Sequence, residues 1–123
     1  MENAFDVNRD KNMNLSVIIV SHNTVDLIGA CLLSLESAFS GEREIIVVDN
    51  ASTDGSADFI RHYFPSVTLI PNSDNRGFAA ANNQGLSLAR GKYIFFLNPD
   101  TVAGSDALDK AVSGAGRLRK SAR

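Results

Sequence analysis

Ile45-Ile46-Val47-Val48-Asp49-Asn50 decides the fold: four β-branched residues in a row run directly into an acid and an amide. Such a run reads as a buried strand of a parallel sheet. The pattern returns in Tyr93-Ile94-Phe95-Phe96-Leu97, which is followed by Asn98-Pro99-Asp100. Ligands of open α/β sheets bind just beyond the carboxyl ends of their strands. Asp49 and Asp100 are therefore expected at one rim of the sheet, where an anionic ligand and a divalent cation could be held together. A single Asp at a strand end more often starts a turn or caps a helix. Two of them, in a repeated β-α pattern, point to a site.

Outward from these strands the alternation continues. Residues 15–20 form a first strand, followed by a helix that Asn23 or Thr24 caps and that runs to about residue 37. The second strand covers 44–48. The cluster from Asp49 to Ser56 is dense in turn and cap residues, and a second helix runs from there to Tyr63 or Phe64, where Pro65 stops it. A short strand at 67–70 and a polar loop at 71–77 lead into a small-residue helix over 78–89, closed by Gly91 as a C-terminal glycine. The fourth strand is 93–97, and a weak helix spans 105–113. This order predicts a doubly wound α/β domain. Its sheet is mainly parallel, in the order 3-2-1-4, with helices on both faces. Residues 1–14 read as a polar lead-in, 15–113 as the domain and 114–123 as a basic tail.

Composition narrows the function. The chain has 123 residues, enough for one domain, and 44% hydrophobic with 21% charged residues is ordinary for a globular protein. A net charge of −2 gives no general attraction to nucleic acid or to an anionic membrane. Four of the last seven residues are basic, a pattern that at this length reads as a solvated end. Cys31 is the single cysteine, so no intrachain disulfide forms. It falls in the apolar helical series Leu27, Ile28, Cys31, Leu32, Leu35 and is expected as a small core residue. One Cys and two scattered His leave no zinc-ligand set. No apolar run reaches the length of a membrane span, and the polar start lacks the apolar segment of a signal peptide. The expected setting is cytoplasmic, with peripheral attachment to a membrane left open.

The first loop, Ser21-His22-Asn23-Thr24, excludes two phosphate-binding designs. It lacks the Gly-x-Gly-x-x-Gly of dinucleotide folds, and nothing in the chain matches Gly-x-x-x-x-Gly-Lys-Ser/Thr. A response-regulator-like or flavodoxin-like domain fits poorly as well, because Ser21-His22 supplies no acid after the first strand.

Four segments together resemble glycosyltransferase family 2, whose fold is GT-A. They are Val17-Ile18-Ile19-Val20-Ser21-His22-Asn23, Val47 to Ser56, Asn75 to Gly85 (Asn-Arg-Gly-Phe-Ala-Ala-Ala-Asn-Asn-Gln-Gly), and Gly91 to Asp100. Order and spacing agree too, and Asn98-Pro99-Asp100 with Gly77-Phe78-Ala79 is most similar to the rhamnosyltransferase-like branch. The resemblance covers residues 15 to about 111, the donor-binding half of such an enzyme. It implies a transferase that moves a sugar from a UDP- or dTDP-sugar donor to a glycan or other hydroxyl acceptor, with inversion, in cell-envelope polysaccharide synthesis. The alternative is a non-catalytic nucleotide-binding or oligomerising remnant.

The resemblance also assigns residues. Asp49 would accept a hydrogen bond from the imide N–H of the base, which uracil and thymine both offer, with the backbone of Val20 and Ser21 alongside. Asp54 occupies the second acidic position and could equally cap a helix. Arg76 is open to two readings, a contact to diphosphate or base and a solvated loop charge. Asn82 and Asn83 could simply pack or cap. Asp100 matches the last acid of the Asp-x-Asp metal motif and would help hold Mg²⁺ or Mn²⁺. Asn98 stands where the first acid of that motif would be, so it can accept from a ribose hydroxyl or a metal-bound water but adds no charge. No general base follows the fourth motif, since Asp106 and Asp109 fall in the next helix. Exposed apolar surface near Phe95, Phe96 and Leu97 is expected to drive homodimer formation.

Overall fold

The structure, a computed structural model, describes residues 13–117. The expected lead-in and basic tail lie outside it, except for Met13, Asn14 and residues 114–117. Eight elements alternate: β1 (Leu15–Ser21), α1 (Ile28–Leu35), β2 (Arg43–Asn50), α2 (Ser56–Tyr63), β3 (Thr68–Asn72), α3 (Phe78–Leu88), β4 (Tyr93–Leu97) and α4 (Ala107–Arg117). The four strands form one sheet in the order β3-β2-β1-β4, and each neighbouring pair is parallel. β1 is central, and Leu15 to Ile19 are wholly buried. This is why the run Val17-Ile18-Ile19-Val20, without polar alternation, suits that strand.

The two faces of the sheet are covered unequally. Val17, Ile19 and Val47 pack with α1 through Ile28, Cys31, Leu32 and Leu35, with α2 through Ile60 and with α4 through Leu108. The opposite face carries Ile46 and Val48 against Ala81 of α3. That helix lies very close to the sheet, because a Cβ on Gly85 would come within 2.6 Å of the Ile18 Cγ2. Its small residues are what permit the approach.

Several local expectations shift. The first helix starts at Ile28 with Leu27 as its N-cap and no side-chain cap bond, because Asn23 and Thr24 spend their side chains elsewhere. The Thr24 hydroxyl shares a 2.6 Å hydrogen bond with that of Ser21, and Asn23 Oδ1 accepts from the Thr53 N–H. β3 runs on through Pro71 to Asn72. Proline is tolerated there because β3 is an edge strand among the described residues.

α3 ends at Leu88, and Gly91 is not its cap. A Cβ on Gly91 would sit 2.5 Å from the Ser16 N and 2.6 Å from the Leu15 C, so the glycine lets the chain enter β4 against the backbone of β1. Its own N–H donates to Ser16 Oγ at 2.8 Å. Met13 and Asn14, expected in the polar lead-in, already pair with this segment, with the Tyr93 N–H donating to the Asn14 carbonyl at 2.9 Å. Gly91→Ala is therefore expected to cost about 1–3 kcal/mol by overpacking against backbone, read from urea unfolding. A loss below about 0.5 kcal/mol, within the range of neutral surface changes, would show that β4 separates from β1 freely.

Candidate functional site

Because all strands are parallel, their C-terminal ends share one rim. Ser21 lies opposite Asp49 in the ladder and Asn50 opposite Asn72. Asn98 to Asp100 follow β4 directly, so the rim carries both expected acids.

Asp49 is 2% exposed. The Ser52 N–H donates to its Oδ2 at 2.9 Å and the Ser52 hydroxyl to its Oδ1 at 2.6 Å. The carboxylate thus closes the turn after β2, and each oxygen retains a second lone pair. Ser21 is buried, whereas Val20 is the one partly exposed residue of β1.

The loop after β2 is fastened to the loop after β1 by a set of side-chain bonds. The Asn23 N–H donates to Ser52 Oγ at 2.8 Å, the Thr24 N–H to Ser56 Oγ at 3.1 Å and the Val25 N–H to Asp54 Oδ2 at 3.0 Å. Asn23 and Ala51 adopt left-handed backbone at φ 53° and 61°. Such a conformation costs a non-glycine residue about 1–2 kcal/mol, and the interlocked loops impose it. Asp54 also accepts from the N–H and the hydroxyl of Ser56. Gly55 is the N-cap of α2, so Asp54 fastens two loops instead of occupying the cap position.

Asn50, 2% exposed, joins the remaining segments. Its Oδ1 accepts from Asn72 Nδ2 at 3.0 Å and from the Arg76 N–H at 3.2 Å, and its Nδ2 donates to the Gly77 carbonyl at 3.1 Å. Its own carbonyl accepts from His22 Nδ1 at 2.8 Å. A carbonyl only accepts, so Nδ1 carries the proton. Asn72 and Gln84 then exchange two amide bonds at 2.8 and 2.9 Å. The sequence alone assigns no role to His22, Ser52, Asn72 or Gln84. The signal for Asn72 was present, since a polar residue ends each strand or follows it at once: Ser21, Asn50, Asn72 and Asn98.

Arg76 is placed by its backbone, while its side chain, 47% exposed, lies 3.5 Å from Asp74. Gly77 has φ 83° and ψ 166°, a region that is essentially glycine's alone. A Cβ there would meet nothing within 4 Å, so its outer side is open. Of the two other amides, Asn82 is half-buried and Asn83 exposed.

Asn98 to Thr101 form a turn closed by the Thr101 N–H on the Asn98 carbonyl at 3.0 Å. Asp100 is exposed in this turn, while the Asn98 carbonyl faces Cys31 Sγ at 3.9 Å. Burial, and then the negative charge of Asp100, push the Cys31 thiol up to about 11. Cys31 therefore stays a neutral core residue near neutral pH, with no part as a nucleophile.

Beyond Asp100 the chain leaves the rim. The Ala103 N–H donates to Ser34 Oγ, the Asp106 N–H to the Ser37 carbonyl and the Leu108 N–H to the Ala38 carbonyl, following α1 to the opposite end of the sheet. Asp109 accepts there from the N–H and hydroxyl of Ser40, and Asp106 lies 3.5 Å from Lys110. Neither acid reaches the rim. A cavity of about 520 Å³ between Leu32, Arg43, Phe64 and Val67 also opens at that far end.

Asp100 and Asn98 suit a hard cation only in part. Among the described residues no group of three or more His, Cys, Asp or Glu is placed to hold a metal. One exposed carboxylate fits an ion that draws its remaining ligands from substrate phosphates and water, as Mg²⁺ commonly does.

A family model, Glycosyl transferase family 2, matches residues 16–122. The chain belongs to this family. It is 37% identical over 102 residues to the poly(ribitol-phosphate) beta-glucosyltransferase of Bacillus spizizenii, covering 78% of this chain and 16% of the relative. Among solved structures it resembles S. aureus TarS 1-349 in complex with UDP, at 25% identity and TM-score 0.77, covering 87% of this chain and 33% of that TarS fragment. It also resembles the mannosyltransferase PcManGT from Pyrobaculum calidifontis in complex with GDP-Man and Mn²⁺, at 28% identity and TM-score 0.76, covering 83% and 32%. The chain thus spans a third or less of each of these proteins. The family 2 assignment agrees with the GT-A fold, a parallel four-stranded sheet with four helices. Among the described residues no helix is long and apolar enough to cross a membrane.

The bonds at Asp54 set a pH dependence. The Ser56 hydroxyl, with the Val25 and Ser56 N–H groups, lowers its pKa from the ordinary 3.8. A lowered native value means that the stabilisation is complete above pH 3.8 and is lost as pH falls through the native value. Carboxyl-carbon NMR is expected to give an Asp54 midpoint below 3.8, and Ser56→Ala should raise it. A midpoint at or above 3.8 would contradict the fastening of the two loops through Asp54.

Proposed function

We propose that this chain is the donor-binding part of a glycosyltransferase that uses a UDP- or dTDP-sugar and an inverting mechanism, with a glycan or other hydroxyl acceptor. The observation that carries the reading is the rim itself. A carboxylate set in a rigid, buried turn after β2 and a second carboxylate presented openly after β4 flank the end of the central strand. In this reading Asp49 receives the imide N–H of the base on a lone pair beside Ser52, and the backbone of Val20 and Ser21 lines the base. Arg76, held by its N–H to Asn50, turns its half-exposed guanidinium from Asp74 to the diphosphate. Asn98 takes a ribose hydroxyl.

Asp100 supplies a carboxylate oxygen to Mg²⁺ or Mn²⁺, which when bound offsets the charge developing on the departing diphosphate. In the inverting transfer the acceptor oxygen forms its bond to the anomeric carbon as the bond to the diphosphate oxygen breaks. A general base takes the acceptor proton. Asp106 and Asp109 are excluded from that role by their place at the far end of the sheet.

A second reading, a non-catalytic oligomerising remnant that no longer binds nucleotide, draws on the commitment of Asp49 and Asp54 to loop bonds. Titration calorimetry with UDP and dTDP separates the outcomes. Both metal-dependent and metal-independent components are expected. Asp49→Asn should weaken binding about tenfold or more with or without metal, since a bond to a charged group is worth about 1.5–3 kcal/mol. Asp100→Ala should abolish the metal dependence alone. Failure of both nucleotides to bind at millimolar concentration would end the donor-site reading.

We also infer self-association. β4 is an edge strand among the described residues, and Phe96 is 38% exposed on it. A homodimer that covers this strand is expected in sedimentation equilibrium, and a monomer mass independent of concentration would exclude it.

A further inference from the structure

We propose that Phe78 is the sugar-recognising wall of the donor site, an aromatic surface for the apolar C–H face of a nucleotide-linked pyranose. The inference rests on the donor-site reading above and extends it to the sugar. Phe78 is the first residue of α3 and is 62% exposed. Helix geometry places it. Ala81 and Gly85 mark the buried side of α3, and Gln84 marks the side facing β3 through its two bonds to Asn72. At about 100° per residue, Phe78 falls about 40° from the buried side and on the flank away from β3. Side chains of a helix lean toward its N-terminus, which for α3 is the rim. Helix geometry thus sets the ring at the rim on the flank of α3 away from β3, beside the end of β1, where it remains mostly in solvent.

An aromatic residue near the buried line of a helix normally has a floor. Here the floor stops, because Val20 is partly exposed while Leu15 to Ile19 before it are wholly buried. Gly77, beside the ring, leaves open space where a Cβ would stand. Asp49 after β2, Asp100 after β4 and Phe78 on the α3 side therefore surround the end of β1. The base and the diphosphate occupy the two acidic corners, and the third corner is apolar. The ring atoms of a pyranose carry C–H bonds whose slight positive charge suits the negative face of an aromatic ring. Apolar walls with a few fixed polar groups are the ordinary composition of a small-ligand site.

The test compares free and sugar-bearing nucleotides on the full chain with Mg²⁺, using UDP against UDP-glucose and dTDP against dTDP-glucose in titration calorimetry. Phe78→Ala is expected to weaken the nucleotide-sugar about fivefold while leaving the free nucleotide within about twofold, and Phe78→Tyr to restore the sugar form. Circular dichroism should show an unchanged thermal midpoint, as suits so exposed a residue. Equal weakening of free and sugar-bearing nucleotide would overturn the proposal, placing the ring at the base or in loop support. So would unchanged binding of both. If the unaltered chain binds no nucleotide, the donor-site reading itself fails and this proposal with it.

Discussion

The carboxamide of Asn50 is the constraint on which the rim depends. It is buried, and it holds β3 through Asn72, the start of α3 through Arg76 and Gly77, and the first loop through its carbonyl and His22. A buried amide stripped of partners costs about 1–3 kcal/mol per unmet group. Among the described residues no buried side-chain nitrogen or oxygen lacks a partner. Geometry, and not merely polarity, is therefore fixed at this point. An Asp in its place would keep the two accepted bonds but would set a charged oxygen against the Gly77 carbonyl. The neighbouring Asp49 tolerates burial as a carboxylate because both of its bonds come from donors on Ser52.

From that centre the molecule divides into a stiff half and an open half. The loops after β1 and β2 are bonded to each other at several points and hold two non-glycine residues in left-handed backbone. On the other side α3 covers β1 and β2 by close approach of Ala81 and Gly85, and it does not extend over β4. Phe96 is left exposed on the uncovered strand. The same small residues that let α3 settle so closely also narrow the surface it covers.

Strand identity, order and parallel direction were legible in the sequence because short apolar runs alternate with helical segments, and turn residues punctuate every one of them. The shared rim of Asp49 and Asp100 followed from that alone. What the sequence concealed was competition for polar side chains. Asn23 and Thr24 are good helix caps in isolation, but tertiary partners at Thr53 and Ser21 claim them, and α1 begins four residues past Thr24. Gly91 is similar: a helix stop by local rule and a close-packing residue in the structure, since the backbone that crowds it is 75 residues distant in sequence. Asp106 and Asp109 were set aside by context, and their physical exclusion required the path of the chain along α1. Asn72 and Gln84 pair across 12 residues, a distance over which no local propensity operates.

The two rim acids differ in kind, and the difference has a consequence for any ligand. Asp49 is desolvated in advance and its geometry set, so a base that meets it finds a preorganised acceptor and loses little in ordering it. Asp100 is exposed and has no second carboxylate at its side, because Asn98 holds that place. In the proposed site it alone would bind a divalent ion weakly, since most of the ion's ligands must come from water. A nucleotide diphosphate in that site would change this by bringing its own oxygens and negative charge to the same corner. In the proposed site, metal affinity is therefore a property of the occupied rim, and nucleotide and metal strengthen each other by equal factors, as reciprocal linkage requires. Replacing a motif acid by Asn98 lowers the charge of the empty site, and so transfers more of the metal's binding to the moment at which the donor arrives.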